Sequence, residues 1–270
     1  MCEASSSSSS SSWSSPSPSS SQKVEVCVRV RPSSGGPAVW SSDGAVIRGR
    51  KKEFRFEKVF DAASTNEEIY EAFARPLVVD AMRGYHGALL AYGQTGSGKT
   101  HTCQGTPSQP GLIPLAIEDI FSQIRADREY TFRVSYVEVY NETLRDLLLF
   151  GGGGEGPQAQ LRLVEDPSSG GTRLDGVTEE SVGSISDVYD AVVRGEARRH
   201  VGETDANARS SRSHAVLRFT IESKSVEGGE LTSAATLSFC DLAGSERCPA
   251  AAAAAASSSA ASSSKAASFG

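Results

Sequence analysis

The stretch that decides the fold is Gly93-Gln94-Thr95-Gly96-Ser97-Gly98-Lys99-Thr100, which satisfies GxxxxGK[ST] at every fixed position. Glycines let backbone N–H groups converge on phosphate oxygens without interference from Cβ atoms, and a helix start just beyond adds its dipole. In that geometry Lys99 reaches the β- and γ-phosphates and the Thr100 hydroxyl ligates magnesium. The residues before the loop, Ala88 to Tyr92, form a short apolar run that reads as a buried strand. Strand, glycine loop and helix start in this order are the setting a phosphate-binding loop requires.

A phosphate loop needs a second carboxylate for the metal's water shell. Leu237-Ser238-Phe239-Cys240-Asp241 offers one, an acid at the tip of a largely apolar strand. Strands often end in Asp simply to start a turn, so the weight comes from the pairing with the loop. Gly244 follows closely and would let a backbone N–H approach a γ-phosphate. Loop and acid together indicate an NTPase without saying which kind.

Working outward, Val24, Val26, Val28 and Val30 alternate with polar or small residues, predicting a half-buried strand that Pro32 ends. A strand pair is expected from Ala45 to Phe60. Ser64, Thr65 and Asn66 followed by Glu67 and Glu68 have the form of a capping box opening a helix, with a kink or break expected at Pro76. Helices are predicted over Pro114–Arg125 and Ile185–Arg199. Strands are predicted over Tyr130–Tyr140, around Leu217, Phe219 and Ile221, and over Leu231–Asp241. Strands interleaved with helices predict an α/β layered fold.

Composition sets the bounds. Hydrophobic residues are 38%, charged residues 22%, and the net charge is −6, which excludes collagen, a coiled coil and a wholly disordered chain. The acidic balance argues against a nucleic-acid or anionic-membrane partner, and no apolar run approaches the length of a membrane span. Five cysteines, odd in number and without a CxxC pair, argue against a disulfide framework or zinc site and fit a reducing, cytoplasmic compartment. The Ser-rich residues 1–22 are expected to be disordered, Gly151 to Gly154 to form a flexible loop, and the Ala/Ser run 249–270 to be a low-complexity tail. Residues 23–248 remain as the foldable domain.

Further motifs make the sequence recognisable. Asn207-Ala208-Arg209-Ser210-Ser211-Arg212-Ser213-His214 resembles the first switch of kinesin motors, NxxSSRSH, and Asp241 to Arg247 resembles their second switch, DLAGSER. Arg29-Val30-Arg31-Pro32 is similar to the family's adenine-side motif, Ala91 to Thr102 to its phosphate loop with flanks, and Tyr136 to Glu142 to its YxEIYNE strand. Arg199 to Thr204 looks closest to the centromere-protein-E type, kinesin-7-like. The resemblance covers about Lys23 to Arg247 and implies a P-loop NTPase fold of kinesin type: a central mostly parallel or mixed sheet with helices on both faces, its C-terminal part missing.

The resemblance also implies roles. ATP and Mg2+ are the expected ligands, held by Gly93 to His101, with Arg29, Arg31, Pro32 and His101 framing the adenine. Taken alone, Arg29 and Arg31 read as a solvated strand face and His101 as a helix-surface histidine. Ser210 and Ser211 would close on the γ-phosphate, and Thr100, Ser211 and Asp241 would serve the metal. Gly244 would sense the γ-phosphate. Arg212 and Glu246 would pair to polarise the attacking water; alone they read as a surface ion pair worth under about 1 kcal/mol. Microtubules are the implied partner and the microtubule cytoskeleton the implied location, with Arg162 and Arg173 as candidate contacts; the sequence sets no oligomeric state.

The pattern departs from the family at Cys103, where Met is usual, and at Ser238, Phe239 and Cys240 in the second-switch strand. The larger departure follows Arg247, where the family's microtubule-facing helices and a strand filling the sheet beside Arg29 would stand. Two readings are therefore weighed, a microtubule-moving ATPase and a truncated ATP-binding module without motility. A generic P-loop kinase or GTPase is rejected by the two switch motifs. A sheet lacking an internal strand leaves unpaired edges, so marginal stability is also expected.

Overall fold

The structure, a computed structural model, describes residues 24–32, 40–49, 51–149, 161–166, 171–200, 211–226 and 231–246. The two low-complexity ends, the Gly151–Gly154 run, Ser210 and Arg247 lie outside these residues. The first strand, β1 (Cys27–Arg29), pairs in parallel with β5 (Lys58–Phe60), and between them β2 (Ser41–Asp43), β3 (Val46–Arg48) and β4 (Glu53–Arg55) form a small antiparallel sheet. The valine alternation overestimated β1. Val24 and Val26 are exposed, and it is Cys27 and Arg29 that turn toward the core and the site. Only the three residues opposite Lys58–Phe60 find a ladder partner.

Thr65 starts the first helix as the capping box predicts: its hydroxyl accepts the Glu68 N–H at 3.2 Å, and its own N–H donates to the Glu68 carboxylate at 2.9 Å. Helix α1 (Asn66–Ile69) runs through a π turn (Tyr70–Ala74) into α2 (Arg75–Met82) without a break. Pro76 has no N–H and its ring would crowd the carbonyl four residues back. The turn just before it is widened to an i→i+5 bond, Arg75 N–H to Tyr70 carbonyl, and the helix passes Pro76 without the break that was one of the two expected outcomes.

Then come β6 (Gly87–Ala91), α3 (Lys99–Cys103), the short ribbon β7 (Gly105–Thr106) with β8 (Gln109–Pro110), α4 (Leu112–Ser122), β9 (Arg128–Tyr140) and β10 (Thr143–Asp146). The hairpin β11 (Arg162–Asp166) and β12 (Gly171–Asp175), then β13 (Glu180–Val182), α5 (Ile185–His200), β14 (His214–Ser225) and β15 (Leu231–Asp241) complete the order. The main sheet runs β10-β9-β14-β15-β6, with β13 also on β9. It is mixed, and its parallel pairing is confined to β6 with β15; the others are antiparallel.

Alternation along β14 buries Ala215, Leu217, Phe219 and Ile221, opposite Glu138, Tyr136, Val134 and Phe132 on β9 and Asp241, Phe239, Leu237 and Ala235 on β15. Helices α2 and α3 pack on β6 and β15, α5 packs on β9, and α4 joins α2 to α5 across Ala116, Ile117 and Ile120. Phe132 sits 5.0 Å from Phe121 and 5.6 Å from Phe219, ring centre to ring centre. Among the described residues, the mixed sheet with packed helices is the expected P-loop layering, and its helices lie against β6, β9 and β15. On the other face Leu90 is 61% and Tyr92 77% exposed, so the Ala88–Tyr92 run is buried on one side only. The β1–β5 pair stands apart from the main sheet, and the outer edge of β6 carries no strand partner among the described residues.

This asymmetry makes neighbouring leucines unequal. Leu89→Ala should cost about 2–5 kcal/mol, whereas Leu90→Ala should stay within about 0.5 kcal/mol, read from urea midpoints. Equal losses at the two positions would contradict one-sided packing.

Candidate functional site

The parallel register of β6 and β15 sets Ala91 opposite Asp241. The loop leaving β6 and the acid ending β15 therefore emerge side by side. In the loop, Gly96 (φ 75) and Gly98 (φ 105) take the left-handed backbone that side chains disfavour. Gly98 is also the residue from which α3 begins. A cavity of about 850 Å3 opens there, lined by Arg29, Arg31, Pro32, Thr95, Gly96, Ser97, Gly98, Lys99, Thr100, His101, Ser211 and Asp241. Its size suits a nucleotide-sized ligand, for which pockets of about 300–1,000 Å3 are usual.

Within the cavity, Lys99 Nζ donates to the carbonyls of Gly93 (3.0 Å) and Gln94 (3.1 Å), so its ammonium lies folded on the loop. Thr100 Oγ1 donates to Asp241 Oδ2 at 2.7 Å. Asp241 is buried, and its other oxygen, Oδ1, has no hydrogen-bond partner among the described residues. A buried carboxylate oxygen without a donor is costly, and a cation or its water shell would satisfy it. Thr100, Asp241 and Ser211, which shares the cavity, therefore fit a magnesium site completed by phosphate and water oxygens. Among the described residues no cluster of three His, Cys, Asp or Glu could hold a metal unaided.

The two switch segments meet through their backbones. Gly244 N–H donates to the Ser211 carbonyl at 2.8 Å, Ser245 N–H to the Gly93 carbonyl at 3.1 Å, and Ala243 N–H to His214 Nδ1 at 3.2 Å. A Cβ on Gly244 would lie 2.4 Å from Thr95 Oγ1 and 2.6 Å from the Glu246 carboxylate, so a larger residue would displace the side chains of Thr95 and Glu246. Arg212 and Glu246 are not paired here. The Glu246 carboxylate instead accepts the Thr95 N–H at 2.8 Å, and hydrogen bonds from Thr95 hold its pKa below the usual carboxylate value.

On the cavity wall formed by Arg29, Arg31 and Pro32, Arg29 is a strut. Its Nη1 donates to Asn66 Oδ1 (2.6 Å) and Thr102 Oγ1 (2.8 Å), its Nη2 to the Ser64 carbonyl (3.3 Å), and desolvation lowers its pKa. Arg31 Nη1 is set against the Gly96 carbonyl. Pro32 and His101 complete the wall. Sequence reasoning missed Asn66, 2% exposed, whose Nδ2 also donates to the carbonyls of His101 (3.3 Å) and Gln109 (3.5 Å). Its position at a capping box was visible, but nothing in the sequence set that helix start beside the phosphate loop. Cys103, fully buried, has its thiol pKa raised, first by burial and then by Asp241, and behaves as a small neutral core residue. Arg173 lies 3.7 Å from Asp175 in the β11–β12 hairpin.

Comparison with known proteins agrees with this geometry. The kinesin motor domain family matches residues 17–267. The chain is similar to Kinesin-like protein KIN-7L of Oryza sativa subsp. japonica, 40% identical over 230 residues that cover 80% of this chain and 34% of that protein. It is similar to human Centromere-associated protein E, 42% identical over 240 residues, 82% of this chain and 9% of that protein. A solved chain of a fast kinesin superposes with a TM-score of 0.75 at 36% identity, covering 84% of this chain and 67% of that one. The chain thus spans about a third of KIN-7L and under a tenth of Centromere-associated protein E. With the phosphate loop, the strand-end acid and both switch strands gathered at one end of a mixed sheet, and a match along nearly its whole length, this chain belongs to the kinesin motor domain family.

Proposed function

We propose that this chain binds and hydrolyses Mg-ATP as the nucleotide-handling part of a microtubule motor. The observation that carries the reading is the bare Asp241 Oδ1, buried beside Thr100 at the mouth of the phosphate loop. Magnesium bound there would neutralise phosphate charge, the main requirement of phosphoryl transfer. Lys99 would exchange the Gly93 and Gln94 carbonyls for phosphate oxygens, and Gly96 to Thr100 would offer N–H groups to the same phosphates. Gly244 would exchange the Ser211 carbonyl for the terminal phosphate. Glu246 would leave Thr95 for Arg212, closing the second switch on the attacking water. Arg31, Pro32 and His101 would hold the base, with Arg29 bracing the wall behind them. Loss of the γ-phosphate would release both switch segments, a change that a motor couples to its track. The microtubule is the partner proposed, with the microtubule cytoskeleton as the place of action.

The bare face of β6, with Leu90 and Tyr92 exposed, favours a second reading in which the chain holds ATP without moving. ATP turnover with and without microtubules, together with co-sedimentation, separates the two. Stimulated turnover supports the motor, and nucleotide binding without stimulation supports the binding module.

Two substitutions test the assigned roles. Lys99→Ala should abolish binding of a fluorescent ATP analogue, while Glu246→Ala should bind it normally and stop turnover; equal loss of binding in both would refute the separation. Asn66→Ala leaves an Arg29 N–H without its acceptor and should weaken nucleotide binding by about 1–3 kcal/mol, measured by the same titration. Unchanged affinity would remove Asn66 from the site.

A further inference from the structure

The small sheet β2-β3-β4 contributes no residue to the phosphate cavity. It carries an unusual concentration of charge. Residues 48–58 hold six Lys or Arg against two Glu, in a chain whose net charge is −6. Two of these cations are engaged: Arg48 Nε donates to Glu53 Oε2 at 2.8 Å, and Lys58 Nζ stands 4.9 Å from the centre of the Phe60 ring. Lys51, Lys52 and Arg55 are exposed and make no ion pair among the described residues.

Beside them lie exposed rings and a strand edge. All three residues of β4, Glu53, Phe54 and Arg55, are exposed. The Trp40 and Phe54 rings stand 6.3 Å apart, centre to centre, and are 41% and 43% exposed. The indole also lies against Gly49, where a Cβ would come within 2.6 Å of it, so the aromatic pair is seated on the sheet. On one side β4 pairs with β3; on the other it has no ladder partner among the described residues. Gly49 N–H donates to the Lys52 carbonyl and Phe56 N–H to the Ala45 carbonyl, both at 2.8 Å. Antiparallel alternation then turns the backbone groups of Glu53 and Arg55 outward. Side chains alternate as well, which puts Arg55 on one face of this edge and Phe54 on the other.

We propose that this edge receives an extended acidic peptide, added as a fourth strand beside β4. Glu53 and Arg55 supply the backbone ladder, Lys51, Lys52 and Arg55 meet carboxylates, and Trp40 with Phe54 covers an apolar side chain on the opposite face. Charge along an edge can also serve to keep other strands away, but a guard of that kind has no use for two exposed aromatic rings. Three cations on an acidic chain are too few for a nucleic-acid or membrane footprint, which needs a broad positive surface. They suit a short peptide whose backbone the edge can also pair.

The test is fluorescence anisotropy of a labelled eight-residue peptide of alternating Glu and Val, titrated with the full chain. Binding that weakens with added salt is expected, and none for the matching Lys-Val peptide. Lys51→Glu combined with Lys52→Glu should weaken binding at least about tenfold, because like charges then face each other. Phe54→Thr should weaken it about 2–10-fold. Both variants should bind a fluorescent ATP analogue as the wild type does, which shows that they are folded. Of two Glu-Val peptides N-methylated at odd or at even residues, one should bind and the other fail, since only one set of N–H groups faces β4. Absence of Glu-Val binding, equal binding of the Lys-Val peptide, or an unchanged affinity in the Lys51→Glu, Lys52→Glu variant would overturn the proposal. Tighter binding of a single-stranded oligonucleotide or of phosphatidylserine vesicles would overturn the choice of a peptide, and equal binding of both methylated peptides would overturn the added strand.

Discussion

Asp241 occupies the point on which the rest of the site depends. The parallel ladder between β6 and β15 fixes Ala91 opposite Asp241, so the strand leading into the phosphate loop and the strand ending in the acid finish at the same level. A shift of one residue would turn Asp241 to the opposite face and replace it with Cys240. The register is held by burial, because Leu237 and Phe239 on the same face as Asp241 are packed under the helices. The apolar pattern of a strand thus decides the position of a charged side chain two residues further on.

Around that carboxylate the protein distributes donors asymmetrically. Thr100 and Arg199 both meet Oδ2, and Oδ1 has no hydrogen-bond partner among the described residues. The same economy applies to the phosphate loop, whose lysine rests on its own carbonyls, and to Glu246, which rests on the Thr95 N–H. Phosphate oxygens would compete with the present partners, giving Lys99 charged acceptors in place of neutral carbonyls and taking the Thr95 N–H from Glu246.

The sheet is unequal in its two faces. Helices α2 to α5 cover one, and the alternation along β14 and β15 commits the large apolar residues to it. The other face presents Leu90 and Tyr92 to solvent beside the free edge of β6. The small sheet and the β1–β5 pair reach the site through a polar strut, Arg29 to Asn66 and Thr102. That strut draws Arg29 of β1 inward, while Val24 and Val26, before the strand, stay exposed.

Much of this was legible in the residues. The phosphate loop, the capping box at Thr65, the long strands β9, β14 and β15 and the helix α5 follow from local rules, glycine freedom, cap chemistry and periodicity, which act within a few residues. Misread elements were those whose state depends on a distant neighbour. The π turn before Pro76 depends on the chain continuing as helix, the extent of β1 on where β5 runs, and the one-sided burial of β6 on which helices cover the sheet. The sequence by itself determined the chemistry of the loop and the identity of the acid, because those lie in short motifs with fixed spacing. Only the tertiary structure decided that Asn66 lines the cavity and that Arg199 reaches Asp241, because hydrogen bonds and ion pairs across 37 and 42 residues follow from strand register and helix packing, which no local pattern encodes.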